Sequence, residues 1–325
     1  MPPARSVLFV CALVASATTA ACAASSAEVT PRTQPSTAPG HVDGSANGTA
    51  APAEGPFAGA RRLPDPDASF PRSPERLAER LAVTTRALYQ AIDRWRASGT
   101  TDEWPPPREV VLLSLDLQRG VQTLSGVGDR REATIAALPP SLRPEIRDAA
   151  EAAATLRAGI GSVSPSTPIT MRTKAPPPPD VLRGYYREAE RRFGVPWTLL
   201  AAVHFIETKF GRVVSNSWAG AQGPMQFLPS TWAAYGMGGD IRDTRDAIHG
   251  AANYLRANGA PADPRGALWA YNPVAYYGEA VLRYEREMRR DERMFYAIYA
   301  WQVFVRTSEG PVQLTGPGAD VRSST

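Results

Sequence analysis

The run VPWTLLAAVHFIETKFG, residues 195–211, is where the chain first combines a strong helical pattern with a chemically useful side chain. Pro196 suits a first helical turn, where a missing N–H costs nothing, and Gly211 suits a stop. Leu199, Val203, Ile206 and Phe210 recur at helical spacing and make one apolar stripe. Glu207 follows Leu200 by seven residues and Val203 by four, so it emerges on the core-facing side. A carboxyl group there loses water, which favours its neutral form and raises its pKa toward the range of a general acid. A glutamate at the helix edge paired with an arginine is the competing assignment from this segment alone.

The following stretch, SWAGAQGPMQFLPSTW at residues 217–232, is glycine-rich and turns at Gly223-Pro224 before a new helix after Pro229-Ser230. Glycines let backbone approach a ligand closely, and Met225 and Gln226 offer one apolar and one polar contact. Further on, Ala270-Tyr271-Asn272-Pro273 precedes Tyr276-Tyr277 and a closing helix through Val281 and Tyr284. Ten of the eleven tyrosines and five of the seven tryptophans fall between Tyr185 and Trp301. That density fits either a packed aromatic core or a groove that stacks on sugar rings.

Glu207 followed by a hydroxyl residue and by glycine four positions on, Ser217 with Ala219-Gly220-Ala221, the run from Gly223 to Trp232, and Ala270-Tyr271-Asn272 stand in one order. Together they resemble the catalytic domain of lytic murein transglycosylases, over roughly 181–288. The long central run, with Asp246-Ala247-Ile248 and Ala252-Asn253-Tyr254-Leu255, is closest to the B-type branch. The resemblance implies an all-helical, lysozyme-like fold and a single catalytic acid, Glu207. It implies cleavage of the bond between N-acetylmuramic acid and N-acetylglucosamine in peptidoglycan, leaving a 1,6-anhydro end, with no cofactor. Ser217, Gln226, Tyr271, Asn272 and Tyr277 take substrate-binding positions by the same resemblance. A hydrolytic muramidase on the same fold and a non-catalytic wall-binding lipoprotein are the alternatives.

Thr208 stands where serine is commoner in that family, which keeps the hydroxyl. Gly236 to Asp246 lacks the Asp-x-Asp-x-Asp-Gly spacing of a calcium loop, so no metal is expected there. Asp240, Asp243 and Asp246 suit loop and helix-cap positions instead.

Outward from this region the expected organisation is a catalytic domain over 181–310, a proline-rich linker over 161–180 and a flexible tail over 311–325. Around Ser308 to Pro311 the alternation suits a short strand pair. A helical segment occupies 75–160. Leu77, Leu81, Leu88, Ile92 and Trp95 make an amphipathic helix from the Ser73-Pro74-Glu75 cap to Gly99. Further helical stretches run from Val110 to Leu124 and around Arg143 to Leu156. The segment carries no carboxylate pair or metal spacing of its own.

Residues 23–74 are rich in Ala, Pro, Ser and Thr and read as a disordered tether. Residues 1–22 place Arg5 before an apolar run, Val7 to Val14, and a small-residue zone, the pattern of an export signal. Cys22 ends that zone in a Thr-Ala-Ala-Cys sequence that resembles a lipobox, which makes it a candidate lipid attachment point. Ordinary cleavage and secretion is the alternative. Export is expected either way, with peptidoglycan as partner; the lipidated form places the protein in the cell envelope with a membrane contact through Cys22. Both cysteines, Cys11 and Cys22, lie in this leader, and the three histidines are scattered, which excludes a disulfide-stapled fold and a Cys/His zinc site. The net charge of +4 comes almost wholly from arginine set against 32 acidic residues, so no nucleic-acid partner is implied.

Overall fold

The computed structural model describes residues 63–160 and 171–319. The export segment with Cys22, most of the tether and residues 161–170 of the linker lie outside the described residues. Eleven helices and one β-hairpin are formed among those described, the all-α class with a C-terminal hairpin that the sequence predicts.

Helix α1 (Pro74–Ser98) starts where the Ser73 side chain accepts the Arg76 N–H at 3.3 Å, and it ends on Gly99 at φ 73°. Its stripe of Leu77, Leu81, Leu88, Ile92 and Trp95 is buried, as the spacing predicts. Helix α2 (Arg108–Ser125) and α4 (Arg143–Gly159) are the other two expected helices of this segment. Between them lies α3 (Gly128–Ala137), which the sequence pattern did not reveal. Only Thr134 and Ile135 of its residues are buried, too few to leave a periodic apolar signal.

The second half contains α5 (Pro179–Phe193), α6 (Trp197–Thr208), α7 (Pro229–Tyr235), α8 (Thr244–Ala257), α9 (Pro264–Tyr271), α10 (Ala275–Arg290) and α11 (Arg293–Tyr299). Strands β1 (Phe304–Thr307) and β2 (Gly310–Gln313) pair antiparallel, with Phe304 opposite Gln313 and Thr307 opposite Gly310. The hairpin therefore continues past residue 310, where a tail was expected to start. Asp243 caps α8 by accepting the Asp246 N–H, and Asp246 accepts from the Asp240 N–H at 2.9 Å, so these carboxylates hold loop and cap as expected.

Helix α6 is central. Every residue from Trp197 to Thr208 is buried, so it is enclosed on all sides instead of presenting one face to water. Helices α5, α8, α10 and α11 surround it. Although the proline-rich stretch separates the halves in sequence, one apolar cluster runs through both, from Leu77 to Trp301. The seam between them is α4 packed along α10.

That seam carries an unusual charge arrangement. Asp148 on α4 accepts from Arg286 at 2.7 and 2.9 Å, from Arg290 at 3.1 Å and from Arg283 at 3.3 Å, all on α10. One turn away, Glu145 of α4 and Glu287 of α10 are buried, and neither Glu287 oxygen has a hydrogen-bond partner among the described residues. Burial pushes the Glu145 carboxyl up from 4.5 to about 7, with Tyr89 opposing and Asp291 adding to the rise. Burial drives Glu287 further above the usual range, reinforced by the charges of Glu145 and Asp148.

Candidate active site

The site is built on the end of α6. The sequence places the stop at Gly211, but the helix ends at Thr208, and Lys209 (φ 54°), Phe210 (φ 61°) and Gly211 (φ 81°) follow one another in the left-handed region. Two of the three carry a Cβ, at a cost of about 1–2 kcal/mol each. Surrounding contacts hold the turn: the Phe210 ring meets Phe205, Phe295 and Tyr299 at 5.6, 5.7 and 5.8 Å. Strain retained this way is characteristic of functional positions. Thr208 also fastens the turn, since its Oγ1 accepts the Gly211 N–H at 2.9 Å and donates to the Pro224 carbonyl at 2.6 Å. The hydroxyl kept at this position thus ties α6 to the glycine-rich loop.

Glu207 is 1% exposed. The Tyr277 hydroxyl, from the first turn of α10, donates to its Oε1 at 2.7 Å. Tyr271, at the end of α9, stacks on Tyr277 with ring planes 4° apart and centroids 6.3 Å apart. Its own hydroxyl donates to the Met225 carbonyl at 2.7 Å. Both phenols are held well above their usual pKa, by burial first and by the nearby Glu207 charge second, so they remain hydrogen-bond donors throughout the working range. The carboxyl group is therefore buried and served by a phenol, not exposed at the helix edge.

The glycine-rich loop closes on an antiparallel bridge between Gln222 and Phe227, with N–H to O distances of 2.8 and 2.9 Å. Gly223 has φ 73°, and a Cβ there would lie 1.8 Å from the Ile241 carbonyl oxygen, so both conformation and space require glycine. Gln226 is itself left-handed, at φ 50°, and its amide nitrogen donates to the Gly223 carbonyl at 2.9 Å. Its Oε1 is buried with no partner among the described residues, and the same is true of both polar atoms of the Asn272 side chain. A buried polar group left unmatched costs ~1–3 kcal/mol, and such groups are most often kept where a ligand or water completes them.

Of the sequence-predicted residues, Glu207 and Tyr277 are brought into direct contact, with Tyr271 stacked behind. Gln226 and Asn272 stand in neighbouring loops with unmatched polar atoms. Ser217 serves its own loop, where its Oγ accepts the Ala221 N–H at 3.0 Å.

Glu207 also lines a cavity of about 460 Å³ that the sequence gives no means to foresee. Its walls come from α2, α4, the turn after α6, Tyr284 of α10, Trp301 and the hairpin, elements more than a hundred residues apart at the extremes. Lys209, Tyr284 and Trp301 had no chemical motif to mark them. Among the described residues there is no group of three or more His, Cys, Asp or Glu that could hold a metal ion.

This geometry can deliver and recover a proton at one buried carboxyl group beside a partly open cavity. Residues 213–275 match the family model of the transglycosylase SLT domain. The matched stretch takes in Ser217, Gln226, Tyr271 and Asn272, while Glu207 and Tyr277 flank it on either side. No curated protein and no solved structure matches the chain. Over residues 213–275 the chain is thus similar to the transglycosylase SLT domain, which is consistent with a lytic transglycosylase.

Proposed function

We propose that the protein is a lytic transglycosylase that cleaves the glycan strands of peptidoglycan between N-acetylmuramic acid and N-acetylglucosamine. The observation that carries this reading is the buried Glu207 carboxyl group, hydrogen-bonded by Tyr277 at 2.7 Å, in a residue that lines the cavity.

Glu207 protonates the glycosidic oxygen as the bond to C1 of the muramyl sugar breaks. The acetamido oxygen of the same sugar closes on C1 and takes the developing positive charge. Glu207, now a carboxylate, accepts the proton of the sugar's 6-hydroxyl while O6 displaces the acetamido oxygen from C1. The products are a free N-acetylglucosamine end and a 1,6-anhydro muramyl end, and Glu207 is protonated again. No water is consumed. Tyr277 steadies the carboxylate stage, because a hydrogen bond to the charged form favours it. Gln226 and Asn272 supply amide groups to the sugars.

Hydrolysis is the second reading, and Glu309 on the hairpin turn keeps it in view, since it lines the same cavity. A hydrolase of this kind normally needs a second carboxylate to attack or to activate water. Digestion of purified sacculi followed by mass analysis separates the two, because the anhydro product is lighter than the hydrolytic product by one water. We place the enzyme in the cell envelope, attached through a lipid on Cys22. Mass analysis of the mature N-terminus tests the attachment, and an unmodified terminus beyond Cys22 would exclude it.

A further inference from the structure

The cavity beside Glu207 is larger and more apolar than a reacting sugar requires. Sugars present hydroxyl groups around their edges, and a site that holds only sugar offers matching polar groups and flat aromatic faces. Here one side of the cavity is aliphatic, formed by Val121 of α2, Ala153 and Leu156 of α4, Ile160 and Val303. These side chains have no hydrogen-bonding capacity and suit methyl groups.

Polar features stand at set points around this wall. Trp301 lines the cavity, is 4% exposed, and its indole N–H has no acceptor among the described residues. A buried donor left unmatched is unfavourable, and a ligand carbonyl can satisfy it. Arg157, in the last turn of α4, is exposed at the rim and forms no ion pair among the described residues. Arg306 of β1 holds the rim together, its guanidinium donating to the Arg157 and Ile160 carbonyls. The charged groups lining the cavity are Arg157, Arg306 and Lys209 against Glu207 and Glu309.

We propose that this cavity is a subsite for the peptide stem carried on the reacting muramyl sugar, with Arg157 meeting a stem carboxylate and Trp301 donating to a stem carbonyl. The inference rests on the transglycosylase reading. The stem leaves the sugar through a lactyl group on C3, two ring carbons from the C1 at which Glu207 acts, so it must lie beside the acid. A lactyl group followed by alanine-type residues is methyl-rich, bears amide carbonyls and carries free carboxylates, which are the groups that the aliphatic wall, the indole N–H and the guanidinium complement. The aliphatic wall and Arg157 come from α2, α4, Ile160 and Val303, all outside residues 213–275. On this account the helical segment that lacks chemistry of its own is the stem-recognition half of the enzyme.

The test measures binding of two soluble probes to the full chain carrying Glu207→Gln, which blocks turnover. One probe is the N-acetylglucosaminyl-N-acetylmuramyl disaccharide with its peptide stem, the other the same disaccharide without the stem. The subsite predicts that the stem-bearing probe binds about tenfold more tightly or better, and that adding Arg157→Ala removes most of that ratio, about 1.4 kcal/mol. Because both probes are measured on one preparation, a partly unfolded variant lowers both signals and leaves the ratio intact. Equal affinity for the two probes, or a ratio unmoved by Arg157→Ala, would overturn the proposal. Absence of anhydro product from the wild-type enzyme would instead sink the transglycosylase reading, and the binding ratio would still decide whether the stem is held here.

Discussion

Replacing Glu145 with glutamine should move the stability difference from wild type in the variant's favour between pH 4 and pH 8. In the folded chain burial raises this carboxyl group from 4.5 to about 7, whereas in the unfolded chain it titrates near its ordinary value. Below about pH 4.5 it is protonated in both states and contributes nothing to the pH dependence. As pH rises from there toward 7, the unfolded chain releases its proton while the folded chain retains it, so stability falls. At ~1.4 kcal/mol per pH unit, the loss is about 3 kcal/mol by pH 7 and constant above it. Glutamine keeps the shape and removes the proton, although its amide N–H groups enter a site built around Tyr89, Glu287, Arg290 and Arg293 and bring a cost of ~1–3 kcal/mol. That cost is the same at both pH values and cancels in the comparison. Urea midpoints for wild type and variant at pH 4 and pH 8 should therefore differ by a pH-dependent term of about 3 kcal/mol in favour of the variant at pH 8. A substitution effect of equal size at the two pH values would refute the argument that a retained proton at the α4–α10 seam limits stability.

Other expectations follow from single contacts. Tyr277→Phe removes the 2.7 Å hydrogen bond to Glu207 and should lower kcat/KM by about 10–100-fold, the equivalent of ~1.5–3 kcal/mol. Unchanged kcat/KM in the variant would leave Tyr277 a packing residue only. Gly223→Ala puts a methyl group 1.8 Å from the Ile241 oxygen at a left-handed position and should cost about 2–4 kcal/mol, read by thermal unfolding. A variant as stable as wild type would mean that the loop can move away from Ile241. Thr208→Val keeps the size and loses both loop hydrogen bonds, so activity should fall while Thr208→Ser retains most of it.

How far the sequence speaks differs from element to element. Helix α1 was legible to within a residue because cap, first-turn proline, periodic stripe and terminal glycine all agree. Helix α6 was legible as a helix, but its end was not: Gly211 advertises a stop, whereas tertiary packing around Phe210 forces the left-handed turn to begin two residues earlier. Helix α3 was silent because it buries too little to leave a pattern. Within the site, Glu207 and the tyrosines could be picked out from motif order and spacing, since each sits in a short recognisable run. The second wall of the cavity could not, because Val121, Leu156, Trp301 and Pro311 are brought together only by the packing of α4 on α10 and of the hairpin beside them.

The central claim is that Glu207 performs a non-hydrolytic cleavage by itself. The most direct measurement digests purified sacculi with wild-type protein and with Glu207→Gln, and follows the released muropeptides by mass. The account predicts products that end in 1,6-anhydro-N-acetylmuramic acid, and a loss of about 10²–10⁴-fold in their rate of release with the variant. Products that have gained a water, or release that survives the substitution at full rate, would contradict it.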